Sequence, residues 1–261
     1  MKINRMKKKI EALMIGILLC GGALTAQAQI GEHRNDFSIG GNGGYVMSNV
    51  KFQPDVPQKQ HGGFSGGFSM RYACEKYFKT ICSIYAEVNY SQVGWKEDIL
   101  DIDNNPVIIS ETQQPMAYTR TINYVQVPVM AHLAWGREVR GLNIFVNAGP
   151  QFGFYLGDKA TTNFDVKHMP GTDNDRVNNV VAQDTMAVKN KLDYGIAVGL
   201  GAEYSIPKVG HFLLEARYYY GLGNIYGSSK RDYFGTSNYN QIVVKLAYLF
   251  DITRTKNVKR K

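Results

Sequence analysis

The sequence predicts an all-β fold: eight antiparallel strands closed into a transmembrane barrel of the outer-membrane type. Three observations carry this. The N-terminus reads as an export leader, the remainder falls into segments of period-two alternation, and the links between segments are alternately short and long. Bulk composition is less telling, since 44% hydrophobic and 20% charged residues are near a soluble-protein average. The balance of 27 glycines and 17 tyrosines against 8 prolines suits twisted strands, tight turns and aromatic girdles.

In the leader, Lys2, Arg5, Lys7, Lys8 and Lys9 form a basic head, residues 13–24 a short apolar run, and Ala26-Gln27-Ala28 a small-x-small cleavage pattern. Residues 1–28 are therefore expected to be a signal peptide, with the mature start at Gln29, residues 29–251 the barrel and 252–261 a basic tail. A lipobox at Cys20 is disfavoured because Leu19 stands where a small residue belongs. The leader holds five cations and one acid (Glu11), so the formal charge of +8 falls to +4 on cleavage. Arg254, Lys256, Lys259, Arg260 and Lys261 supply +5, leaving the body at about −1. With the basicity confined to the ends, no basic stripe crosses the folded part, which argues against a nucleic-acid partner.

Two cysteines outlast cleavage, Cys74 and Cys82, on either side of a predicted turn and in an oxidising compartment. One reading is a disulfide across the turn; the other is two small apolar residues near a membrane interface. Neither has a histidine at a spacing that would suggest zinc or a thiol nucleophile.

No stretch of the mature chain approaches the length of an apolar helix that could span a bilayer. Eight segments of alternation take its place: 37–48, 63–73, 81–95, 122–135, 142–156, 191–204, 211–222 and 240–250. The first is so rich in glycine that its faces are hard to read. The others each have an oily row, such as Phe64, Phe68, Met70 and Tyr72 in the second, or Ile242, Val244, Leu246, Tyr248 and Phe250 in the eighth. Links 74–80, 136–141 and 205–210 are short; links 49–62, 96–121, 157–190 and 223–239 are long. That asymmetry separates periplasmic turns from extracellular loops. A backbone can cross lipid only as a helix or a closed barrel, because every N–H and C=O must be paired.

By the same parity Arg71, Glu87, Asn89, Gln126, Asp193, Glu203, Glu215, Arg217 and Lys245 point into the lumen. An eight-stranded barrel has room for side chains but not for a wide channel. These residues are expected to form an interlocking plug, since charges removed from water are costly unless paired. A catalytic reading finds little support. His132 and His211 fall at the periplasmic end, away from outer-leaflet substrates, and His61, with Ser65 four positions on, lacks a neighbour to complete a triad. A lipopolysaccharide-modifying enzyme is thus the weakest of the functional alternatives. Asp101-Ile102-Asp103-Asn104-Asn105 begins like a calcium loop, but Pro106 stands where the sharp turn needs glycine and Thr112 where the bidentate Glu belongs. The shorter Asp173-Asn174-Asp175 reads likewise as solvated loop. No metal or cofactor is expected.

Four motifs carry a resemblance. Asn123-Tyr124-Val125-Gln126-Val127-Pro128-Val129, Asn147-Ala148-Gly149-Pro150-Gln151-Phe152-Gly153, Lys191-Leu192-Asp193-Tyr194-Gly195 and Leu214-Glu215-Ala216-Arg217-Tyr218-Tyr219-Tyr220-Gly221-Leu222 come in order along the chain. Together they resemble the PorT-like outer-membrane β-barrel family of Bacteroidetes, with the departure that eleven residues follow Phe250. The resemblance implies an outer-membrane location. It leaves two roles open: a structural or surface-binding barrel, and an accessory component of type IX protein secretion, after the member that names the family. The expected partners are outer-membrane lipid, the barrel-assembly machinery during insertion, and a protein or glycan at loops 96–121 and 157–190.

Overall fold

The computed structural model describes residues 31–137, 140–178, 180–227, 229 and 232–255. The expected signal peptide and cleavage site, and the tail from residue 256 onward, lie outside the described residues. The barrel lies in one compact unit, His33–Lys261.

Eight long strands make the wall: β1 Glu32–Gln53, β2 His61–Tyr77, β3 Thr80–Glu97, β4 Tyr118–Gly136, β5 Gly141–Thr162, β6 Leu192–Ile206, β7 Gly210–Gly221 and β8 Thr236–Thr253. Neighbours run β3-β2-β1-β8-β7-β6-β5-β4, and pairing of β3 with β4 closes the ring. Closure between the chain ends is antiparallel, from Phe37 opposite Thr253 to Gln53 opposite Thr236, with one irregularity at Phe37/Ser38. The glycine-rich first segment is thus a full wall strand. No helix among the described residues is long and apolar enough to cross a membrane; the crossing is made by strands.

Short turns and both ends of the wall lie at one rim. Phe78 takes a positive φ of 53° in the tight β2–β3 turn, and Gly136 and Gly141 flank the β4–β5 turn at φ of 147° and 131°. A side chain rarely adopts such a backbone, so glycine fits at the latter two positions. At the other rim the connections 98–117 and 163–191 carry small elements of their own. Ile108–Ile109 pairs with Gln114–Pro115, and Ala182–Thr185 forms a single helical turn, α1.

Sidedness follows the alternation. Phe68, Leu200, Leu214 and Leu246 are among the large apolar side chains exposed on the outside, at 76%, 66%, 52% and 65%. Arg71, Glu87, Glu203, Arg217 and Lys245 are buried inside. Inward glycines give these groups room: a Cβ at Gly199 would run into the Glu215 carboxylate, and one at Gly67 would meet the Val88 carbonyl and Asn89.

Most strands exceed their expected bounds at both rims, while β6 and β7 stop one residue short at the extracellular one. β4 starts at Tyr118 rather than 122, and β8 spans Thr236–Thr253 rather than 240–250. The long connections shorten accordingly. Above the lipid band the outward row becomes polar, Thr236, Asn238 and Asn240 preceding Ile242 in β8, so the oily row that marks a strand in lipid is missing there.

Cys74 and Cys82 are both free thiols. A bulge between Ala73 and Glu75 removes Cys74 from the ladder, so the residue opposite Cys82 is Glu75. The cross-turn bridge is therefore not formed.

Candidate functional site

Side chains on five strands meet at the middle of the lumen. Arg217 on β7 donates from Nη1 to Glu87 Oε2 on β3 at 2.8 Å and from Nε to Glu215 Oε1 at 2.9 Å. Lys245 on β8 pairs with Glu87 and lies 3.3 Å from Glu215 Oε2. Asn89 donates to Glu87 at 2.8 Å and accepts from Asn42 of β1, which also donates to Ser69 of β2 at 2.8 Å. Two cations face two carboxylates, and each charged group has more than one partner.

A second set lies nearer the periplasmic rim. Arg71 Nη1 is 2.6 Å from Glu203 Oε2. His211 places Nδ1 2.6 Å from Glu203 Oε1 and Nε2 3.0 Å from Asp251 Oδ1, while Ser38 of β1 donates to Asp251 at 2.6 Å. His211 thus sits between two carboxylates, one at each ring nitrogen. His132 joins the two sets: its Nδ1 lies 2.7 Å from Asn147 Oδ1, and Asn147 Nδ2 donates to Glu215 at 3.0 Å.

The nine residues assigned to the lumen are therefore all buried, but they form no single cluster. Glu87, Asn89, Glu215, Arg217 and Lys245 come together. Arg71 and Glu203 belong to the periplasmic set. Gln126 bonds to Gln241 at 3.1 Å, and Asp193 accepts from Tyr219 at 2.7 Å, each apart from the charged sets. Asn42, His132, Asn147, His211, Gln241 and Asp251 are lumen residues missed by the sequence reading. Parity within their own strands was the available signal for His132, Asn147, His211 and Gln241. His61 is also buried, its Nε2 2.8 Å from Thr121 Oγ1 in the wall.

The extracellular half is filled differently. Val50, Phe52, Trp95, Tyr118, Ile122, Tyr226, Phe234 and Tyr239 are buried in one apolar cluster with Ile99, Val107 and Ile109 from connection 98–117. Phe52 meets Trp95 edge-on at 5.3 Å and Phe234 at 4.8 Å. Arg120 of β4 is the polar anchor of this mouth. It donates to Asp158 of β5 at 2.7 Å and, from Nη1, to the carbonyls of Gln183 at 3.1 Å and Met186 at 2.6 Å. Its guanidinium carbon lies 5.7 Å from the centre of the Trp95 ring.

Beside α1, Glu97 of β3 accepts from Gln183 at 2.7 Å and from Arg176 at 3.1 Å. Burial, and then the Glu97 carboxylate against it, push Asp184 up to about 8. The two long connections are joined by backbone bonds from Ser110 to Gly171, Asp173 to Ile108 and Val177 to Leu100, each at 3.0 Å. Asp101 caps its own turn through Asp103 and Asn105 at 2.9 and 2.8 Å and accepts from Asn174 at 2.7 Å. The calcium-like stretch is thus a braced turn.

An outward apolar band, a charged interior and a closed ring define an integral barrel of the outer membrane. Residues 27–227 match the family model described as outer membrane protein beta-barrel domain, and the chain belongs to that family. Among solved structures it is similar to Neisserial surface protein A, at 10% identity and TM-score 0.39, over 81% of this chain and 96% of that one. It is also similar to OprG from Pseudomonas aeruginosa, at 14% identity and TM-score 0.34, over 85% and 96%. A third is Ail of Yersinia pestis, at 13% identity and TM-score 0.33, over 82% and 99%. No curated protein matches the chain significantly.

Proposed function

We propose that this outer-membrane barrel has no open pore and serves as a rigid scaffold for an extracellular binding surface, built from connections 98–117 and 163–191. The single observation that carries this reading is the hydrogen bonding of the two connections to each other above a filled lumen. Recognition is commonly placed on loops held by a rigid frame. Partners of this surface are an extracellular protein or glycan; the nine lumen residues act as a structural plug rather than as a conduction path or catalytic centre. The proposal also takes residues 1–28 as a signal peptide removed at export, and the barrel-assembly machinery as the route of insertion.

Two experiments test it. In planar bilayers the purified protein should show no stable conductance steps; a steady ohmic conductance would contradict a closed lumen. Replacing both connections with short turns should leave heat-dependent gel mobility intact and abolish adhesion of expressing cells to protein- or glycan-coated surfaces. The rival role, accessory to type IX secretion, rests on the sequence resemblance. A block in cargo export on gene deletion would put it first.

A further inference from the structure

The mouth is closed by a segment whose seating is unbalanced in charge. Connection 163–191 folds back over the rim so that α1 lies on β3 and β4. Its main chain is gripped from below: Arg120 holds the Gln183 and Met186 carbonyls, Tyr118 donates to Asp184 O at 3.3 Å, and Tyr226 to Gln183 O at 3.2 Å. Its side chains are less settled. Gln183 and Asp184 are buried at 0% and 7% exposure, yet Gln183 Oε1 and both carboxylate oxygens of Asp184 have no donor.

The charged and titratable groups around Asp184 come from each packed element: Glu97 from β3, Arg120 and Tyr118 from β4, Tyr226 from connection 222–235 and Arg176 from its own connection. Arg120 is engaged by Asp158, and Arg176 by Glu97 through Nη2, its Nε and Nη1 having no acceptor. Three carboxylates, Glu97, Asp158 and Asp184, therefore face two guanidinium groups, leaving one negative charge uncompensated. A buried unpaired charge is strongly unfavourable, and a proton removes it. Protonated, Asp184 gains a donor to offer to Glu97; ionised, it sets like charge against like with both oxygens unsatisfied.

We propose that one proton held between Glu97 and Asp184 latches connection 163–191 into the barrel mouth, and that loss of this proton lifts α1 and admits water to the apolar cluster beneath. This is a device for exposing the mouth and does not depend on what the loops bind. The raised pKa of Asp184 sets the range in which release occurs.

Trp95 is the reporter, fully buried beneath α1 at 0% exposure, and Trp135→Phe removes the second tryptophan, which lies 39% exposed near the opposite rim. Acrylamide quenching of Trp95 is measured in phosphatidylcholine vesicles as pH is raised. The expected result is a quenching constant rising about twofold or more between about pH 6 and about pH 9. Asp184→Asn donates permanently to Glu97, and Glu97→Gln removes the repulsion; each should keep quenching low throughout. A wild-type profile that stays flat, or a rise that survives in either variant, would overturn the latch.

Discussion

The ion-pair networks fill the lower half of the interior and an aromatic cluster the upper half, and the wall outside them changes in step. In the half surrounded by lipid, the outside is oily and the inside holds Glu87, Glu215, Arg217, Lys245, Arg71 and Glu203 among apolar Tyr85, Phe145, Leu213 and Leu249. In the half above lipid, the outward positions of β8 are Thr236, Asn238 and Asn240, and the inside holds Phe52, Trp95, Tyr118 and Phe234. Along one continuous strand the outward row thus changes from polar above the rim to oily below it. Solvent outside decides this: lipid accepts no charge on the outer face, whereas water makes an apolar core favourable again.

The largest effect is expected from breaking the ionic half. Arg217→Met would leave Glu87 and Glu215 facing Lys245 alone, and removal of one partner from a buried ion pair costs about 3–5 kcal/mol. Unfolding midpoints in lipid vesicles should fall accordingly. A truncation in the apolar half, Trp95→Ala, has a similar nominal cost of about 3–5 kcal/mol. It should register locally: hydrogen exchange should quicken in 98–117 and 163–191, while the midmembrane ladder stays protected. Loss of protection across the whole wall would show that the halves are not separate units.

Next comes the boundary on the outer face. Ile242→Lys puts a charge on the lipid-facing row, where about 2–4 kcal/mol applies at midplane. Val243→Lys, one residue on and 8% exposed on the lumen side, opposes Arg217 in the ladder and should instead disturb the ion pairs. Titration of the mouth is a separate, pH-dependent term. Asp184 holds its proton to about pH 8 when folded and gives it up near its ordinary 3.8 when unfolded. Between those values the folded state binds more protons, so this contribution is full below about pH 4 and fades as pH rises through about 8. Asp184→Asn should flatten that decline. The smallest effect is Phe250→Asp, at the periplasmic edge of the band, where a charge costs about 0–1 kcal/mol.

The lipid-embedded part of the fold was readable from alternation because its outer row is oily without exception from Ile242 to Phe250, and likewise in β6 and β7. The rim was not. Tyr118 and Ile122 are apolar yet face inward, Thr119 and Thr121 face outward, and a reading that sends apolar residues to lipid cannot follow the strand there. Glu97, Arg120 and Asp158 were therefore assigned to loops, and the mouth they build was invisible. In the lumen, His132 and His211 were weighed only as catalytic groups, although their parity marks them as lumen residues. Asp251 and Asn42 were missed for other reasons, the one lying past the expected strand end and the other in the glycine-rich segment.

The change of sidedness along one strand can be measured directly. With Cys74 and Cys82 replaced by serine, single cysteines at positions 236–253 would be spin-labelled in vesicles, and their access to oxygen and to a water-soluble nickel chelate compared. Even positions from 242 to 250 should be open to oxygen and closed to nickel, even positions 236–240 open to nickel, and odd positions from 237 to 249 closed to both. Uniform accessibility along the strand, or an oxygen maximum on the odd positions, would contradict the account.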